Sequence, residues 1–382
     1  MKGFGALTLI LLLIAPVSSL GAASDDSHQL LAEGILATLK GDGPGIDLLR
    51  DAAALYPSYP RSITDSAGVE IVLYRPPDRI IAMNSNAADV LSVIGLGTQV
   101  IGVGDTVVKT PLQFPDLALR TNIGKYNEPD IETILALRPD LLISYVLWPD
   151  AEKLDRHLPK RITVIRMDLY KAETFRDEFS RLSYITGDSE KAAAYLEWYD
   201  KIHTLVQERV MTIPEEERTR VFVDYGAGKS TGRRTMSEGT GLHDIIVTAG
   251  GINIAGDRVT GYADVENEWV IAQKPDVILI WSPKGGYVLG EEEYFHEAWD
   301  DVIKMPGFNR IPAIRDERIY VISSAYGFGT SSPASLVKVA SWLYPDLFAD
   351  IDPDAIHSEY LDRFTHTGKE IKEEGTFYYP KR

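Results

Sequence analysis

The chain has 382 residues, of which 45% are hydrophobic and 25% charged, and this balance indicates a folded protein with more than one domain. Its 39 Lys and Arg residues against 56 Asp and Glu residues give a formal net charge of −17, which excludes nucleic acid as a partner. The absence of cysteine excludes disulfides, thiolate metal sites, a cysteine nucleophile and a thioether-linked lipid anchor.

The N-terminal segment as far as Ala23 has the pattern of a signal peptide. Lys2 supplies a positive charge, residues 4–17 form an almost unbroken apolar run, and small residues follow. We expect cleavage after Ala23 and secretion to the periplasm or the extracytoplasmic face. The alternative is an uncleaved N-terminus that tethers the protein, because the apolar run is at the lower limit of a membrane span. Residues 24–60 form a helix-prone N-terminal extension without an assigned role.

One internal repeat organises the rest of the chain. Residues 132–144 and 268–280 match position by position without a gap. Each predicts a short amphipathic helix that ends at Pro-Asp and is followed by a buried strand. Other landmarks recur in the same order: opening strands at 79–84 and 220–225, helices at 89–95 and 244–250, and late strands at 162–168 and 319–324. The repeat therefore predicts two similar lobes.

The predicted fold class is α/β, with two doubly wound, Rossmann-like lobes. Strands that are apolar on both faces and alternate with helices are typical of a parallel sheet covered on both sides. We assign residues 61–172 to the N-terminal lobe, 173–212 to a helical linker, 213–345 to the C-terminal lobe and 346–382 to a tail with one helix near 356–364. The linker contains one long helix at 189–211 that spans about 35 Å and bridges the lobes in a single pass.

Two facing parallel lobes place the carboxyl ends of their strands along a shared cleft, where ligands bind in such folds. Aromatic and basic residues follow the predicted strands. Any one ring alone indicates ordinary packing, whereas their shared placement favours a cleft for an anionic ligand. The candidate ligand-binding residues are Tyr126, Tyr145, Trp148, Tyr225, Lys229, Arg233, Tyr262, Trp281, Tyr326 and Phe328.

The sequence contains no complete catalytic motif. Gly228-Lys229-Ser230 follows a strand, but Val223 occupies the place of the glycine that a phosphate-binding loop requires. The seven histidines are scattered and give no zinc-protease pattern. We therefore predict neither catalytic residues nor a resident metal or cofactor, and a secreted α/β enzyme that uses the same cleft is the alternative.

Glu132 and Glu268 form a duplicated acidic pair, each in the first turn of its helix. One interpretation is a favourable interaction with the helix dipole, worth about 0.3–1 kcal/mol. The other is that each lobe presents one carboxylate to a basic socket on a symmetric partner. The residues alone leave both open.

Several motifs together resemble the substrate-binding proteins of ABC importers for ferric siderophores, haem and cobalamin, the periplasmic family with a helical backbone. The resemblance covers about residues 61–345 and rests on residues 64–68 with 76–82, 123–132, the repeated segments from Glu to Pro-Asp, and 249–253. The missing lipid-anchoring cysteine and the extension before Arg61 depart from the family pattern.

The resemblance implies two α/β lobes joined by one long helix, and permease docking by Glu132 and Glu268. It also implies ligand contacts by Tyr126, Tyr145, Tyr262 and Phe328. The expected function is capture of a metal chelate, with iron or cobalt as its metal and a ferric siderophore as the first candidate, and delivery to a permease dimer with a cytoplasmic ATPase. Cobalamin, haem or an oxyanion such as molybdate are the alternative ligands. We expect a monomer with a largely preformed cleft.

Overall fold

A computed structural model describes residues 56–228, 232–256 and 261–380. The predicted signal peptide and most of the predicted extension, residues 24–55, lie outside the described residues, and so does Lys229. Within the described part of the chain, no helix combines the length and the apolar character that a membrane crossing requires.

The first lobe is built on a five-stranded parallel sheet. Its strands and hairpins are β1 (Arg61–Thr64), β2 (Glu70–Leu73), β3 (Ile80–Ala82), β4 (Val100–Val103), β5 (Thr121–Asn122), β6 (Gly124–Lys125), β7 (Glu128–Pro129), β8 (Leu141–Ser144) and β9 (Thr163–Arg166). The sheet order is β5-β4-β3-β8-β9, while β1 pairs with β2 and β6 with β7 in antiparallel hairpins. The helices are α1 (Ser85–Val93), α2 (Asp105–Val108), α3 (Ile131–Leu137) and α4 (Ala151–Asp155), with a 3-10 turn at Leu117–Leu119.

Two helices connect the lobes, α5 (Ala172–Thr186) and α6 (Glu190–Val210). The side chain of Ser189 caps the start of α6 and donates to the carbonyl of Ile94 in the first lobe at 2.7 Å. At the other end of α6, Val210 packs against Gly250 of the second lobe. The 21 residues of α6 span about 31 Å at the rise of an α-helix, so the predicted bridge by one long helix is confirmed.

The second lobe repeats this plan. Its strands are β10 (Arg220–Asp224), β11 (Arg233–Met236), β12 (Ile252–Asn253), β13 (Tyr262–Val265), β14 (Val277–Ser282), β15 (Ile319–Ser323) and β16 (Tyr378–Tyr379). Its helices are α7 (Gly241–Thr248), α8 (Asn267–Gln273), α9 (Glu292–Ile303), α10 (Pro312–Arg315), α11 (Ser324–Gly327) and α12 (Ser332–Leu343), with 3-10 turns at Glu215–Glu217, Phe308–Arg310 and Gly329–Ser331. The sheet order is β12-β10-β14-β15-β16, and β11 pairs with β13.

The two sheets confirm the predicted duplication. Strands β4-β3-β8-β9 of the first lobe and β12-β10-β14-β15 of the second have the same order, and all of their pairings are parallel. Strands β3 and β10 lie at the predicted opening strands, and β9 and β15 at the predicted late strands. The fold class is therefore α/β with two doubly wound lobes.

The core follows from the alternation of side chains along these strands. Ile80 and Ala82 face a large core that runs through both lobes and the connecting helices, whereas Ile81, between them, faces a separate cluster on the other side of the first sheet. Phe222 and Ile278 mark the corresponding outer cluster of the second sheet. Because both faces of each sheet are buried, the strands contain almost only apolar residues.

In both lobes the Pro-Asp motif fastens a helix to the neighbouring strand. In the first lobe, an oxygen of Asp140 accepts from the backbone N–H of Arg79 at 3.0 Å, and the Arg79 guanidinium donates to the Leu137 carbonyl at the end of α3. The guanidinium thereby satisfies a helix-terminal carbonyl that has no partner within the helix.

The second lobe makes the same contacts. Asp276 accepts from the backbone N–H of Arg220 at 2.9 Å, and the Arg220 guanidinium donates to the Gln273 carbonyl at the end of α8. The duplicated motif therefore connects a helix to a strand in each lobe. Both copies need the same residue types for these contacts, which explains why the repeat is visible in the sequence.

The C-terminal tail is part of the second lobe. Helix α13 (Pro353–Phe364) contains the predicted helix, and α14 (Lys369–Glu374) follows it. Strand β16 then pairs antiparallel with β15 and completes the second sheet, which the sequence did not indicate. Phe364, the last residue of α13, packs edge-on against Tyr195 of α6. The tail thus joins the bridging helix to the second sheet.

Candidate functional site

A cavity of about 730 Å³ lies between the lobes. Its walls come from both halves of the duplication, at the carboxyl ends of β3, β8 and β9 in the first lobe and of β14 and β15 in the second. The lining residues are Ser85, Asn86, Asp89, Thr106, Thr110, Gln113, Tyr126, Tyr145, Leu147, Trp148, Asp168, Tyr170, Lys171, Tyr262, Trp281, Pro283, Gly285, Tyr287, Val288, Ser324, Ala325 and Phe328. The predicted position of the cleft between the lobes is confirmed.

Three tyrosines form the aromatic wall of the first lobe. The ring of Tyr145 meets Tyr126 at 5.5 Å and Tyr170 at 5.7 Å between centroids, both edge to face, the arrangement that aromatic quadrupoles favour. The Tyr145 hydroxyl donates to Asn86 Oδ1 at 2.7 Å. Burial raises the pKa of Tyr145 above its ordinary value, so this hydroxyl remains a neutral donor.

The second lobe contributes a corresponding aromatic group. Tyr225 lies between Tyr262 and Trp281, with centroid distances of 5.1 Å and 4.6 Å, and the Arg234 guanidinium lies 5.5 Å and 5.4 Å from the two tyrosine rings. The indole Nε1 of Trp281 is buried and has no hydrogen-bond partner among the described residues. A donor left unpaired beside a cavity is available to an acceptor on a bound molecule.

Further rings complete the cavity. Trp148 lies at the end of β8 with 55% of its surface exposed, and Phe328 and Tyr287 line the side of the second lobe. Rings of this kind offer large contact area at a small cost in side-chain entropy. The walls are thus suited to an organic ligand with extended apolar or planar faces.

A backbone turn forms part of the wall of the second lobe. Gly285 and Gly286 both have left-handed φ values, of +80° and +70°. A Cβ at Gly285 would lie 2.5 Å from the Phe295 ring, and one at Gly286 would lie 2.6 Å from the Ala325 side chain. Only glycine fits both the conformation and the space at these two positions.

Charged side chains in the lining are few. Lys171 Nζ lies 2.6 Å from Asp168 Oδ2, and Asp89 is the second carboxylate. The buried carboxylate of Glu178 accepts from the backbone N–H groups of Asp168 at 3.2 Å and Leu169 at 2.6 Å. Leu169 has a left-handed φ of 55°, so Glu178 holds a strained turn that directs Tyr170 and Lys171 into the cavity.

The floor of the cavity contains a polar contact between the lobes. Thr330 of the second lobe donates through Oγ1 to the carboxylate of Asp89 on α1 of the first. The same Oγ1 lies 2.6 Å from the Tyr360 hydroxyl of the tail, and the Thr330 carbonyl accepts from Tyr195 of α6 at 2.8 Å. We call these four residues the interlobe clasp, because they join both lobes, the bridging helix and the tail.

Comparisons with known proteins identify the family. The model of a family described as periplasmic binding protein matches residues 80–326, which is more than half of the chain and includes most of both lobes. The chain belongs to this periplasmic binding protein family. The predicted resemblance to the binding proteins of ABC importers is confirmed.

Curated relatives of this periplasmic binding protein differ in their named ligands. The molybdate-binding protein MolA of Haemophilus influenzae is 22% identical over 348 residues, which cover 80% of this chain and 91% of the relative. A cobalamin-binding protein of Halobacterium salinarum is 26% identical over 233 residues, and the match spans 58% of each protein.

Solved structures agree on the fold. The TroA-like periplasmic binding protein FepB of Veillonella parvula has a TM-score of 0.69 at 20% identity and covers 85% of this chain and 100% of its own. MolA of Haemophilus influenzae with bound molybdate has a TM-score of 0.65 at 18% identity and covers 80% of this chain and 97% of its own. At these identities the likeness concerns the architecture of the two lobes.

The predicted site residues of this periplasmic binding protein fall into three sets. The residues that line the cavity are Tyr126, Tyr145, Trp148, Tyr262, Trp281 and Phe328, and Tyr225 packs against two of them. Lys229 lies outside the described residues. Arg233 and Tyr326 lie elsewhere in the second lobe, and their predicted placement at the cleft needs correction.

Arg233 forms a buried ion pair. It is 2% exposed, and its guanidinium lies 2.5 Å from Asp224 Oδ2 and 2.6 Å from Asp301 Oδ2. Neighbouring residues in a strand point to opposite faces, so Arg233 of β11 points into the lobe while Arg234 points toward the rings of Tyr225 and Tyr262. The predicted candidate was Arg233, whereas the guanidinium that lies against the rings of the site belongs to its neighbour Arg234.

Tyr326 belongs to the core. Its ring is fully buried and packs against His357, Phe377 and Tyr378 of the tail. The chain enters the short helix α11 directly after β15, and this turns Tyr326 away from the strand end. Tyr326 therefore anchors the tail, and Phe328, two positions further along, reaches the cavity.

The reasoning from the sequence missed several lining residues. The lining also contains Asp89, which the sequence places only in a helix, and Asp168, Tyr170, Lys171 and Tyr287, which are absent from the predicted site. Three of these five follow β9, so the rule that ligands bind beyond strand ends could have found them had it been applied to that strand. Tyr287 carries no comparable signal, because a glycine-containing turn brings it back to the cavity.

Glu132 and Glu268 occupy equivalent places on the two lobes. Each is exposed and lies in the first turn of its helix, α3 or α8. In α3 the cap is Asp130, which accepts from the Thr133 N–H at 3.1 Å. Neither glutamate forms an ion pair within the described part of the chain, so both carboxylates are available to a partner.

Proposed function

We propose that this protein is the extracytoplasmic binding component of an ABC importer, and that it captures a ferric siderophore between its lobes. The observation that carries the proposal is the cavity of about 730 Å³ whose walls contain eight aromatic rings from both lobes. Membership of the periplasmic binding protein family supports the transport role.

The size of the cavity supports a large ligand. Sites for organic ligands occupy about 300–1,000 Å³, whereas a tetrahedral oxyanion fills only a few times the roughly 30 Å³ of a water molecule. An oxyanion would leave most of this cavity unfilled and its aromatic walls without contact. We therefore place a metal chelate ahead of molybdate, although one relative is named for molybdate.

Cobalamin is the second candidate ligand. The relative from Halobacterium salinarum and several vitamin B12-binding proteins share 24–26% identity with this chain over about half of its length. A corrinoid is also a large metal chelate with apolar faces, so the same walls are compatible with it. The two candidates are separated by direct binding measurements.

The ligand reaches the cavity without a chemical step. The lining residues supply rings, hydroxyls and one ion pair, and no group of three or more His, Cys, Asp or Glu side chains within the described residues is placed to hold a metal ion. Capture would rest on contact area and on the unpaired donor of Trp281. A partly preformed cavity lowers the entropy cost of binding, because the lobes are already joined by α6 and the interlobe clasp.

A binding titration tests the proposal. Purified protein is titrated with ferric siderophores, cobalamin, haem and molybdate, and tryptophan fluorescence and calorimetry follow binding. We expect quenching of Trp281 and Trp148 by a ferric siderophore, reduced in Trp281→Phe and unchanged in Trp299→Phe, a tryptophan outside the cavity lining. Recovery of the ligand unaltered supports a binding protein, whereas conversion of the ligand would indicate the enzyme alternative.

A further inference from the structure

The C-terminal tail lies outside residues 80–326, the part of the chain that the family model matches. Two segments of the tail nevertheless contact the walls of the cavity: helix α13, and residues 375–377, which lead into β16. Neither segment lines the cavity itself. Any effect of these segments on a ligand is therefore exerted through the walls.

The first contact supports the glycine turn of the second lobe. The backbone N–H of Gly286 donates to the Thr376 carbonyl at 2.7 Å. The next residue, Tyr287, lines the cavity, and its ring meets the Phe377 ring edge to face with 5.2 Å between centroids. The Phe377 carbonyl in turn accepts from the backbone N–H of Ser323, at the end of β15, at 2.9 Å. The tail thus connects the turn to the second sheet.

The second contact is a chain of hydrogen bonds that passes through the tail. Thr330 Oγ1 has one proton and donates it to the carboxylate of Asp89 in the first lobe. The hydroxyl of Tyr360 in α13 lies 2.6 Å from the same Oγ1, so it is the donor to Thr330. Tyr287 shares a side-chain hydrogen bond with Tyr360, and by the same count of protons Tyr287 is the donor there. Burial raises the pKa of both tyrosines above the ordinary value, so both hydroxyls keep their protons.

The two ends of this chain, Asp89 and Tyr287, line the cavity from opposite lobes. Its middle member Tyr360 is fully buried and belongs to the tail. Hydrogen bonds that run in one direction and end on a carboxylate strengthen one another. The chain therefore restrains the separation of the two walls before a ligand binds.

Building on the proposed function, we propose that Tyr360 and Phe377 are positioning residues of the binding site, which fix the separation of its walls and the place of Tyr287 without touching the ligand. A cavity whose walls are already in place binds with a smaller loss of conformational entropy. Loss of either contact would let the walls move and would weaken binding although the fold persists.

Removal of a single hydroxyl tests the chain. Tyr360→Phe keeps the ring and removes the middle of the chain. Tyr378→Phe is the matched control, because it also removes a hydroxyl of the tail, one that donates to Asp354 outside the cavity lining. Calorimetry measures the affinity for a ferric tricatecholate, a ferric trihydroxamate and cobalamin. We expect Tyr360→Phe to weaken the binding of each probe that wild type binds by at least about threefold, the effect of one typical hydrogen bond, and Tyr378→Phe to bind as wild type does.

Hydrogen exchange measures the positioning without a ligand. In Tyr360→Phe, the amides of residues 285–289 and of α1 should exchange at least about threefold faster than in wild type, with no such change in Tyr378→Phe. Phe377→Leu removes the ring contact with Tyr287 and should accelerate exchange in residues 285–289 alone.

Urea denaturation separates positioning from stability. Wild-type affinity of folded Tyr360→Phe, whatever its free energy of unfolding, would overturn the inference and leave the tail as a stabilising element. Wild-type exchange of residues 285–289 in both Tyr360→Phe and Phe377→Leu would overturn it as well. Absence of binding of every probe to folded wild-type protein would overturn the proposed function, and the exchange rates would then decide by themselves whether the tail positions the walls.

Discussion

Tyr145 and Trp281 occupy corresponding positions of the internal repeat, and they face the same cavity from opposite lobes. Tyr145 directly follows β8, Trp281 lies near the carboxyl end of the equivalent strand β14, and each packs against other rings there. The duplication thus provided the cavity with two corresponding aromatic positions. Tyr126 and Tyr262 are separated by the same offset along the chain and also line it.

This relationship predicts matched losses of affinity. Tyr145→Ala and Trp281→Ala should each weaken ligand binding by about tenfold or more, because each removes a large buried contact at the centre of a wall. Calorimetry with the ligand identified by titration measures the effect. Tyr184→Ala, which removes a half-exposed ring outside the cavity lining, is the control and should bind as wild type does. If Tyr145→Ala and Trp281→Ala bound the ligand as tightly as wild type and the control do, the duplicated rings would have no role in binding.

Arg233→Ala should destabilise the fold. Its removal leaves Asp224 as a fully buried carboxylate without its partner, and breaking such a pair costs about 3–5 kcal/mol of unfolding free energy. Urea denaturation measures the loss. Arg315→Ala, at an exposed position, should change the unfolding free energy by less than about 0.5 kcal/mol. A stable Arg233→Ala protein with specifically weakened binding would restore the ligand-contact role first assigned to this residue.

The interlobe clasp should contribute to stability and to lobe alignment. Thr330→Val keeps the shape of the side chain but leaves Asp89 and Tyr360 without their shared hydroxyl, at a cost of about 1–3 kcal/mol. Hydrogen exchange should also become faster in α1 and α13, the helices that the clasp holds. Thr212→Val removes an exposed hydroxyl outside both helices and is the control. Wild-type exchange in both helices would show that the clasp does not hold the lobes together.

Asp89 should make stability depend on pH. Burial raises the pKa of its carboxyl to about 6, above the roughly 3.9 of an unfolded chain, so the folded protein favours the protonated form. Its contribution is fully present below about pH 4 and is lost as pH rises through about 6. The loss is less than about 3 kcal/mol, because the residue retains partial exposure to the cavity. Unfolding free energies of wild type and Asp89→Asn should converge below about pH 4, diverge between about pH 4 and 6 and stay apart above that range, and curves that run parallel between about pH 4 and 6 would contradict the assignment.

His357 should act in the opposite direction. Burial lowers the pKa of its imidazole to about 4, below the roughly 6.5 of an unfolded chain, so the unfolded state binds more protons between these values. Stability should therefore fall as pH drops from about 6.5 to 4, by up to about 3 kcal/mol. His357→Phe should flatten this part of the curve, whereas His366→Phe, at an exposed position, should leave it as in wild type.

A transport experiment distinguishes the two interpretations of Glu132 and Glu268, which are permease docking and interaction with the helix dipole. The double variant Glu132→Ala/Glu268→Ala should retain wild-type ligand affinity, while uptake through the reconstituted permease falls at least about tenfold because two orienting ion pairs are lost. Glu292→Ala removes an exposed first-turn carboxylate from α9 and is the matched control. Unchanged uptake in the double variant would leave the helix dipole as the complete explanation.

The sequence predicted the features that are duplicated and that depend on residues close together in the chain. Arg138 and Lys274, at corresponding positions of the repeat, both end their helices with φ of 49° and ψ of 56°, and the Pro-Asp motif follows each. Such a motif needs the same residue types wherever it occurs, so the duplication remained visible. Whether the rings at the strand ends contact a ligand remains a prediction.

Features that depend on contacts between residues distant in the sequence could not be predicted from local patterns. Arg233 and Arg234 look alike in the sequence, and the face that each one occupies depends on the pairing of β11 with β13. The two residues of β16 are too few to show a periodicity, and they form a strand only because β15 presents a free edge to them. The turn at Leu169 depends on the buried Glu178 in the following helix, outside the range of local propensity.

The turn at Gly285 and Gly286 limits which mutations can change the ligand that the protein binds. Its backbone leaves no room for a β-carbon, so mutation to another residue reshapes the lobe before it reshapes the binding surface. Adaptation to a new cargo is expected at the exposed lining side chains instead, such as Tyr126 and Trp148 of the first lobe and Tyr262 of the second. This turn is therefore the part of the binding surface that backbone geometry holds constant while the rings around it vary.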